Sequence, residues 1–339
     1  MTSYTVRGMA LATIVATFPI APVSADFSDK KPISFTVDGA TASGYFKVVT
    51  EAMNGIVRET YPGTAATYKP GSPAGGVLNL ARGQSDFTYN AGPPEIAYAL
   101  DGKAPFTESL KGKFNFVMLL HQGLVVHNLM TKEWADRNGI KSFADIAAKK
   151  PQMRLTVNQL ANLQSTVSMY MSIFDAYGIK IEEITKGAPV FHSNSAGGLD
   201  ALRDGKIDVF INGGFLPTAE ITDVARGRPL MWVSGEPSKI KAAADRWTNS
   251  TQVVPKGIYP FVTEDDVTIS IWNAVIAGAH VSEETVYKFV KALGENRQRV
   301  RSIHPTLVDF AIDKVSNNPT QLSYHPGAAR YYREIGLLK

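Results

Sequence analysis

The 339-residue chain has no cysteine. That excludes structural disulfides, thiolate catalysis and attachment of a lipid through an N-terminal Cys. Histidine is sparse, and His121, His127, His192, His280, His304 and His325 show no metal-ligand spacing. Beyond the first residues, no run is long and apolar enough for a spanning helix, which needs about 20 apolar residues. Neither sign of charge dominates. There are 35 Lys and Arg against 31 Asp and Glu, a net +4, and they are scattered rather than gathered into the basic face of a nucleic-acid binder. No G-x-S-x-G elbow, Walker loop, G-x-G-x-x-G or H-E-x-x-H occurs. The parts for bond-making chemistry and for a cofactor are missing.

The first 25 residues read as a secretory signal. Arg7 supplies a positive start, Met9 to Ile20 an apolar core, and Val23-Ser24-Ala25 a small-residue cleavage site. Pro19 and Pro22 break the apolar run, which argues for cleavage after Ala25 over a membrane anchor. An exported, periplasmic protein follows. Its net charge falls from +4 to +3, because Arg7 is the one charged residue removed.

What the chain has in abundance is self-similarity. GSPAGGVLNLARGQSDFTYNAG (71–92) returns as SNSAGGLDALRDGKIDVFINGG (193–214). Ala74, Gly75, Gly76, Leu80, Gly83, Asp86, Asn90 and Gly92 match Ala196, Gly197, Gly198, Leu202, Gly205, Asp208, Asn212 and Gly214. Upstream, SFTVDGATASG (34–44) aligns with RLTVNQLANLQ (154–164), placing Thr36-Val37 on Thr156-Val157. A doubled strand, loop, helix and Gly turn implies two similar lobes with a cleft between them.

Strands alternating with helices predict a mostly parallel sheet in each lobe. The pattern places strands at 33–37, 65–68, 87–90, 155–157, near 189–191 and at 209–212. Helices are expected at 45–60, 72–82, 165–177, 197–203 and 283–302. Residues 115–128 read as two strand segments bridging the lobes, with Gly123 near the middle, and 255–260 as the return linker. Residues 26–122 and 257–339 are therefore assigned to lobe I and 123–256 to lobe II. The last third has no partner in the repeat and is expected to pack on lobe I. His121 and His127 read as packed, hydrogen-bonded residues, and Trp134, Trp232, Trp247 and Trp272 as core. Glu264-Asp265-Asp266 reads as a solvated turn.

In an open parallel sheet, ligands bind beyond the carboxyl ends of the strands. Four loops emerge there: Asp38 to Tyr45, Asn90 to Pro94, Asn158 to Ser165, and Asn212 to Pro217. Helix starts in such loops offer N–H groups, and small hydroxyls and amides add hydrogen bonds. The candidate ligand-binding residues are Thr41, Ser43, Gly44, Tyr45, Ser72, Asn90, Asn162, Gln164, Ser165, Asn194, Asn212 and Gly213. No catalytic or metal-binding residue is assigned. The set suits a small polar molecule held between lobes and released unchanged.

Four blocks carry a resemblance to a known family: HPGAARYYREIG (325–336), PKGIYP followed by EDDV (255–260, 264–267), LARGQSDF (80–87) and LRDGKIDVF (202–210). Together they resemble the TAXI family, the solute receptors of tripartite ATP-independent periplasmic (TRAP) transporters. The resemblance implies an α/β fold of the two-lobe periplasmic binding protein kind, type II-like, with flanking helices on each sheet. It implies a receptor that captures an organic acid or amino acid and passes it to TRAP membrane permease subunits; the chain is expected to act as a monomer. Two loops depart from the family pattern. GATASGYF stands for a Gly-rich G-T-G-G-x-x-G loop, and NQLANLQST for a Gly/Ser-rich one. The physical reading leaves open the same fold serving an ABC importer, a secreted α/β enzyme using Glu264 or Asp266, and a sensor that presents its ligated form.

Overall fold

The computed structural model describes residues 26–40, 42, 45–157, 165–188, 190–193 and 195–339. The first unit runs β1 (Ser34–Ala40), α1 (Tyr45–Thr60), β2 (Ala65–Pro70), α2 (Pro73–Ala81), β3 (Phe87–Ala91) and α3 (Pro93–Asp101). β4 (Phe114–Thr131) then crosses the molecule, followed by α4 (Lys132–Asn138) and α5 (Phe143–Lys149). The second unit is β5 (Leu155–Val157), α6 (Ser165–Tyr177), α7 (Ile181–Thr185), β6 (Val190–His192), α8 (Ser195–Arg203) and β7 (Val209–Gly214). After it come α9 (Ala219–Gly227), β8 (Leu230–Trp232), α10 (Pro237–Asp245) and β9 (Ser250–Val254). β10 (Asp266–Gly278) returns, and α11 (Glu283–Glu295), α12 (Arg297–Ile303), α13 (Ile312–Val315) and α14 (Pro326–Glu334) complete the chain.

The strands form one sheet in the order β2-β1-β3-β10-β4-β7-β5-β6, with β8 beside β4 and β9 beside β10. Its two ends repeat each other. β1 lies parallel between β2 and β3, and β5 lies parallel between β6 and β7. The antiparallel pair β10 and β4 joins them. The two ends have separate cores. One buries residues from 33–120 together with 272–332, including Val49, Met53, Phe289 and Tyr332. The other side carries two clusters between Val126 and Ile271. α11 and α14 pack on the first lobe, whereas Tyr259, Val262, Ile269 and Ile271 join the clusters of the other side. The handover between cores falls in β10, between Ile271 and Trp272.

Several expectations are adjusted. Residues 114–131 form one continuous strand instead of two segments, because β10 partners it up to Val125 and β7 takes over at that same residue. Gly123 accommodates the change with a φ of 93°. The helix expected over 283–302 breaks at Asn296, whose side-chain amide donates to Ala292 O at 2.8 Å and caps α11. The upstream echo shifts by two residues. Val37 pairs with Phe87 and Leu155 with Val209, so Val37 corresponds to Leu155 and not to Val157. A two-residue shift preserves which side chains face each side of a strand. Trp134, Trp232 and Trp272 are buried, whereas Trp247 is half-buried and lies 5.6 Å from the Tyr98 ring.

The repeated residues have structural causes. Gly76 packs so tightly on β1 that a Cβ there would lie 2.6 Å from Gly39 Cα, and one on Gly198 would lie 2.9 Å from the Phe210 ring. Gly83 and Gly205 turn the chain at φ of 68° and 73°. Asp86 accepts from Thr36 N and Oγ1, and Asp208 forms a bidentate pair with Arg154, so each acid ties its turn to the first strand of its unit. The C-terminal block has the same kind of cause. His325 caps α14 through Gly327 N, and Gly327 lies where a Cβ would meet Glu283 O at 2.2 Å. Tyr332 Oη donates to Val117 O at 2.9 Å.

Candidate functional site

The carboxyl ends of β1, β3, β5 and β7 bring together the first turns of α1, α3 and α6 and the segment after β7. Thr41, Ser43, Gly44, Asn162, Gln164 and Asn194 lie outside the described residues. Tyr45, Asn90, Ser165, Asn212 and Gly213 are placed at these ends, and Ser72 opens α2.

Ser72 has a local task. Its Oγ accepts from Gly75 N at 3.2 Å and caps α2. Asn90 is half-buried, and both ends of its amide are engaged. Nδ2 donates to Gly39 O at 3.3 Å, and Oδ1 accepts from Asn273 Nδ2 at 3.0 Å. Asn212 is 4% exposed; its Oδ1 accepts from Gly213 N at 2.8 Å and from Thr166 Oγ1 at 3.3 Å. Gly213 is half-buried, with the Thr166 methyl where a side chain would stand.

Contacts cross from lobe to lobe in reciprocal positions. From the first lobe, the segment after β3 sends Glu95 to the start of α6. Its carboxylate accepts from Ser165 N at 3.2 Å and Ser165 Oγ at 2.7 Å. From the second lobe, the segment after β7 sends Phe215 to the start of α1, 4.9 Å from the Tyr45 ring. His304 stacks edge-on to Tyr45 at 4.9 Å, His121 lies at 5.3 Å, and Tyr45 Oη accepts from Thr306 Oγ1 at 3.0 Å. One crossing is a carboxyl–hydroxyl hydrogen bond, and the other is an aromatic cluster.

Burial sets the electrostatics here. Glu95 is 1% exposed, and burial pushes its carboxyl up to about 7 against the opposing pull of the Ser165 hydrogen bonds. His121 is pushed down to about 3 by burial, with a smaller contribution from His304, and so stays neutral. Contrary to expectation, neither His121 nitrogen has a hydrogen-bond partner among the described residues; His127 does better, with Nε2 3.3 Å from Tyr259 Oη. Burial also raises the Tyr45 hydroxyl. Asp38, at the end of β1, accepts from Gly39 N and from the Asn79 amide.

The carboxylates at 264–266 are elsewhere. Glu264 and Asp265 are exposed, and Asp265 receives Lys256 N at 2.7 Å as part of a turn. Asp266 starts β10 opposite Val254 and accepts from Val267 N, with burial raising its carboxyl. Among the described residues, no group of three His, Cys, Asp or Glu is placed to hold a metal, and no helix is long and apolar enough to cross a membrane. A cavity of about 740 Å³ lies beside Leu119 to Gln122 and the segment 306–317, in the first lobe alone.

Sequence reasoning missed Glu95, Phe215, His304 and Asn273. The repeat held a signal for one of them: Phe215 follows Asn212 by three residues, just as Pro93 follows Asn90 at the start of α3. Proximity of Asn273 and His304 came only from the returning C-terminal third.

The NMT1-like family matches residues 38–336, and the chain belongs to it. Among solved structures, PhnD1 from Prochlorococcus marinus, in complex with methylphosphonate, is similar with a TM-score of 0.54 at 9% identity over 91% of this chain and 100% of that one. MatC from Rhodopseudomonas palustris, with bound malate, has a TM-score of 0.53 at 15% identity over 94% and 97%. A binding-protein component of an ABC phosphonate transporter from Pseudomonas aeruginosa has a TM-score of 0.50 at 12% identity over 82% and 79%. The fold, a mixed α/β architecture with a curled sheet and flanking helices, is that of periplasmic binding proteins.

Proposed function

We propose that this chain is an extracytoplasmic solute receptor that holds a small organic acid or amino-acid-like ligand between its lobes and delivers it to a TRAP membrane permease. The observation that carries the reading is the reciprocal crossing at the strand ends, Glu95 to Ser165 and Phe215 to Tyr45. Each lobe contributes the same two elements, a helix start and a post-strand segment, and each reaches the other lobe. A ligand between them is desolvated from both sides, so its polar groups must be paired by the helix starts and amides, at a cost of about 1–3 kcal/mol for each one left unpaired. Membership of the NMT1-like family and the binding-protein fold support this reading. The TRAP assignment rests on the four sequence blocks.

In this reading Tyr45, Ser165, Asn90 and Asn212 line the ligand with Thr41, Ser43, Gly44, Asn162, Gln164, Asn194, Ser72 and Gly213. Lobe I is 26–122 with 257–339, and lobe II is 123–256, the stretch 257–271 packing on lobe II as β10 returns. The mature protein begins after Ala25, acts in the periplasm as a monomer, and uses no cofactor.

Thermal-shift screening of the mature protein against carboxylates, amino acids and sulfonates tests the reading. A ligand present at about 100 times its Kd adds about 2.7 kcal/mol of stability. The expected hit is recovered chemically unchanged, and small-angle scattering shows a more compact particle. Turnover of the ligand, or no stabilisation by any class, would overturn the receptor role. Reconstitution with a TRAP permease and with an ABC importer separates the two partners.

A further inference from the structure

Glu95 is a buried carboxyl that crosses the lobe boundary and, among the described residues, meets no cation. Its partners are Ser165 N and Oγ and the backbone N–H groups of its own turn at Gly92 and Glu95. α2, which packs against α3, carries no titratable side chain over Pro73–Ala81, and the segment 158–164 has none in its sequence. On α6 the titratable groups are Tyr170, Asp175 and Tyr177, and Asp175 is paired with Arg246. On α3 itself they are Tyr98 and Asp101, the latter paired with Lys103. The fit is close: a Cβ on Gly92 would lie 2.0 Å from Ser165 Oγ.

We propose that Glu95 is a positioning residue of the interlobe site, holding Ser165 and the first turn of α6 from the opposite lobe, so that lobe closure is coupled to protonation of this one carboxyl. The proposal rests on the receptor reading for its biological meaning, but its physics concerns the lobe contact alone. When the lobes part, Glu95 is solvated and titrates in the ordinary carboxylate range. When they meet, it is buried, and burial penalises the ionised form. Closing therefore takes up a proton between that ordinary range and about 7. As pH falls through this window the closed form gains up to about tenfold per pH unit, and above about 7 the dependence flattens. Closure is thus favoured in mildly acidic surroundings, and ligand retention follows it.

The lack of native cysteine permits a direct test. Val48 on α1 and Ala242 on α10 are exposed, one on each lobe, and the pair Val48→Cys and Ala242→Cys takes spin labels at two defined points. Distance distributions of the unliganded, full-length mature protein are recorded from pH 5 to 8.5. The expected result is a closed population that shrinks as pH rises and levels off near 7. Glu95→Gln, checked for native melting, removes this trend and leaves only the opposite one from His304, which packs on Phe215 of the other lobe and whose burial favours its neutral form. Ser165→Ala keeps the carboxyl but removes its shorter hydrogen bond, so it moves the midpoint to higher pH. A distribution unchanged with pH in the parent protein, or an equal pH dependence in Glu95→Gln, overturns the proposal. The assay needs no ligand, so such an outcome leaves the receptor reading to stand or fall by the thermal-shift screen.

Discussion

Asn90 Oδ1 accepts a 3.0 Å hydrogen bond from Asn273 Nδ2, joining the end of β3 to the strand that returns from the other lobe. The two residues are 183 positions apart in sequence. The bond places the amide expected to meet ligand in a second task, bracing β3 against β10. Asn273 Oδ1, on the same side chain, is buried without a partner among the described residues.

Replacing Asn90 by Ala strips the Asn273 amide of its acceptor, and an unpaired buried polar group costs about 1–3 kcal/mol. The expected outcome is a lower melting temperature together with affinity reduced by about one to two decades, since about 1.4 kcal/mol is tenfold. Asn212→Ala is expected to weaken binding similarly. Titration calorimetry beside unliganded melting curves separates the two roles. A melting shift with intact affinity assigns the amides to bracing alone.

Gly92→Ala inserts a methyl group into the lobe contact, 2.0 Å from Ser165 Oγ. Its φ of −101° is open to alanine, so the strain comes from the opposite lobe and not from the local backbone. Parting the lobes relieves it. Scattering should show a more open particle with melting changed by less than about 0.5 kcal/mol equivalent, the range of ordinary surface substitutions. Unfolding, or an unchanged shape, counts against the contact as a lobe clasp.

Gly76→Ala and Gly198→Ala test the same repeat position in two surroundings. The first places a Cβ 2.6 Å from backbone Gly39 Cα, and the second places one 2.9 Å from the Phe210 ring. Overpacking costs about 1–3 kcal/mol, and backbone yields less readily than a ring edge. Gly76→Ala should therefore be the more destabilising in urea melts, with unchanged m-values for both.

Acid stability has opposing contributions. Burial holds His121 and His127 down to about 3 and His325 down to about 4. Their unfolded forms take up protons near 6.5, so stability falls as pH drops from about 6.5 towards those values. Glu95 acts the other way, because its folded carboxyl holds a proton up to about 7, and its contribution grows as pH drops through 7 towards the ordinary carboxylate range. His127→Gln should flatten the acid limb of unfolding free energy against pH, and Glu95→Gln should steepen it. Denaturant titrations from pH 4 to 8 measure both slopes.

The two-unit plan was legible in the chain itself. Period and turn chemistry are local, and Gly76, Gly83, Asp86 and Asn90 recur at a fixed spacing because each unit must pack a helix on a strand and turn back. That same logic placed Tyr45, Asn90, Ser165 and Asn212 at strand ends. The two-residue slip between Val37 and Leu155 was not legible, because a shift by two leaves the pattern of inward and outward side chains intact; only the ladder with β3 and β7 reveals it.

Glu95, Phe215 and Asn273 belong to the tertiary structure. Nothing near Glu95 in sequence distinguishes it from an ordinary acidic residue in the first turn of a helix, where a carboxylate is favoured anyway. Its burial against Ser165 depends on two lobes meeting across 70 residues of chain. The most recognisable block, at the C-terminus, went the other way: His325, Gly327 and Tyr332 dock α14 on the first lobe, and its specificity is that of packing. Sequence alone determined the strands and helices of the repeated unit and that they come twice, because those are short-range consequences of residue type. Which polar groups face one another was decided by the sheet crossing of β4 and β10, since hydrogen-bond partnership and burial depend on distances that no local pattern encodes.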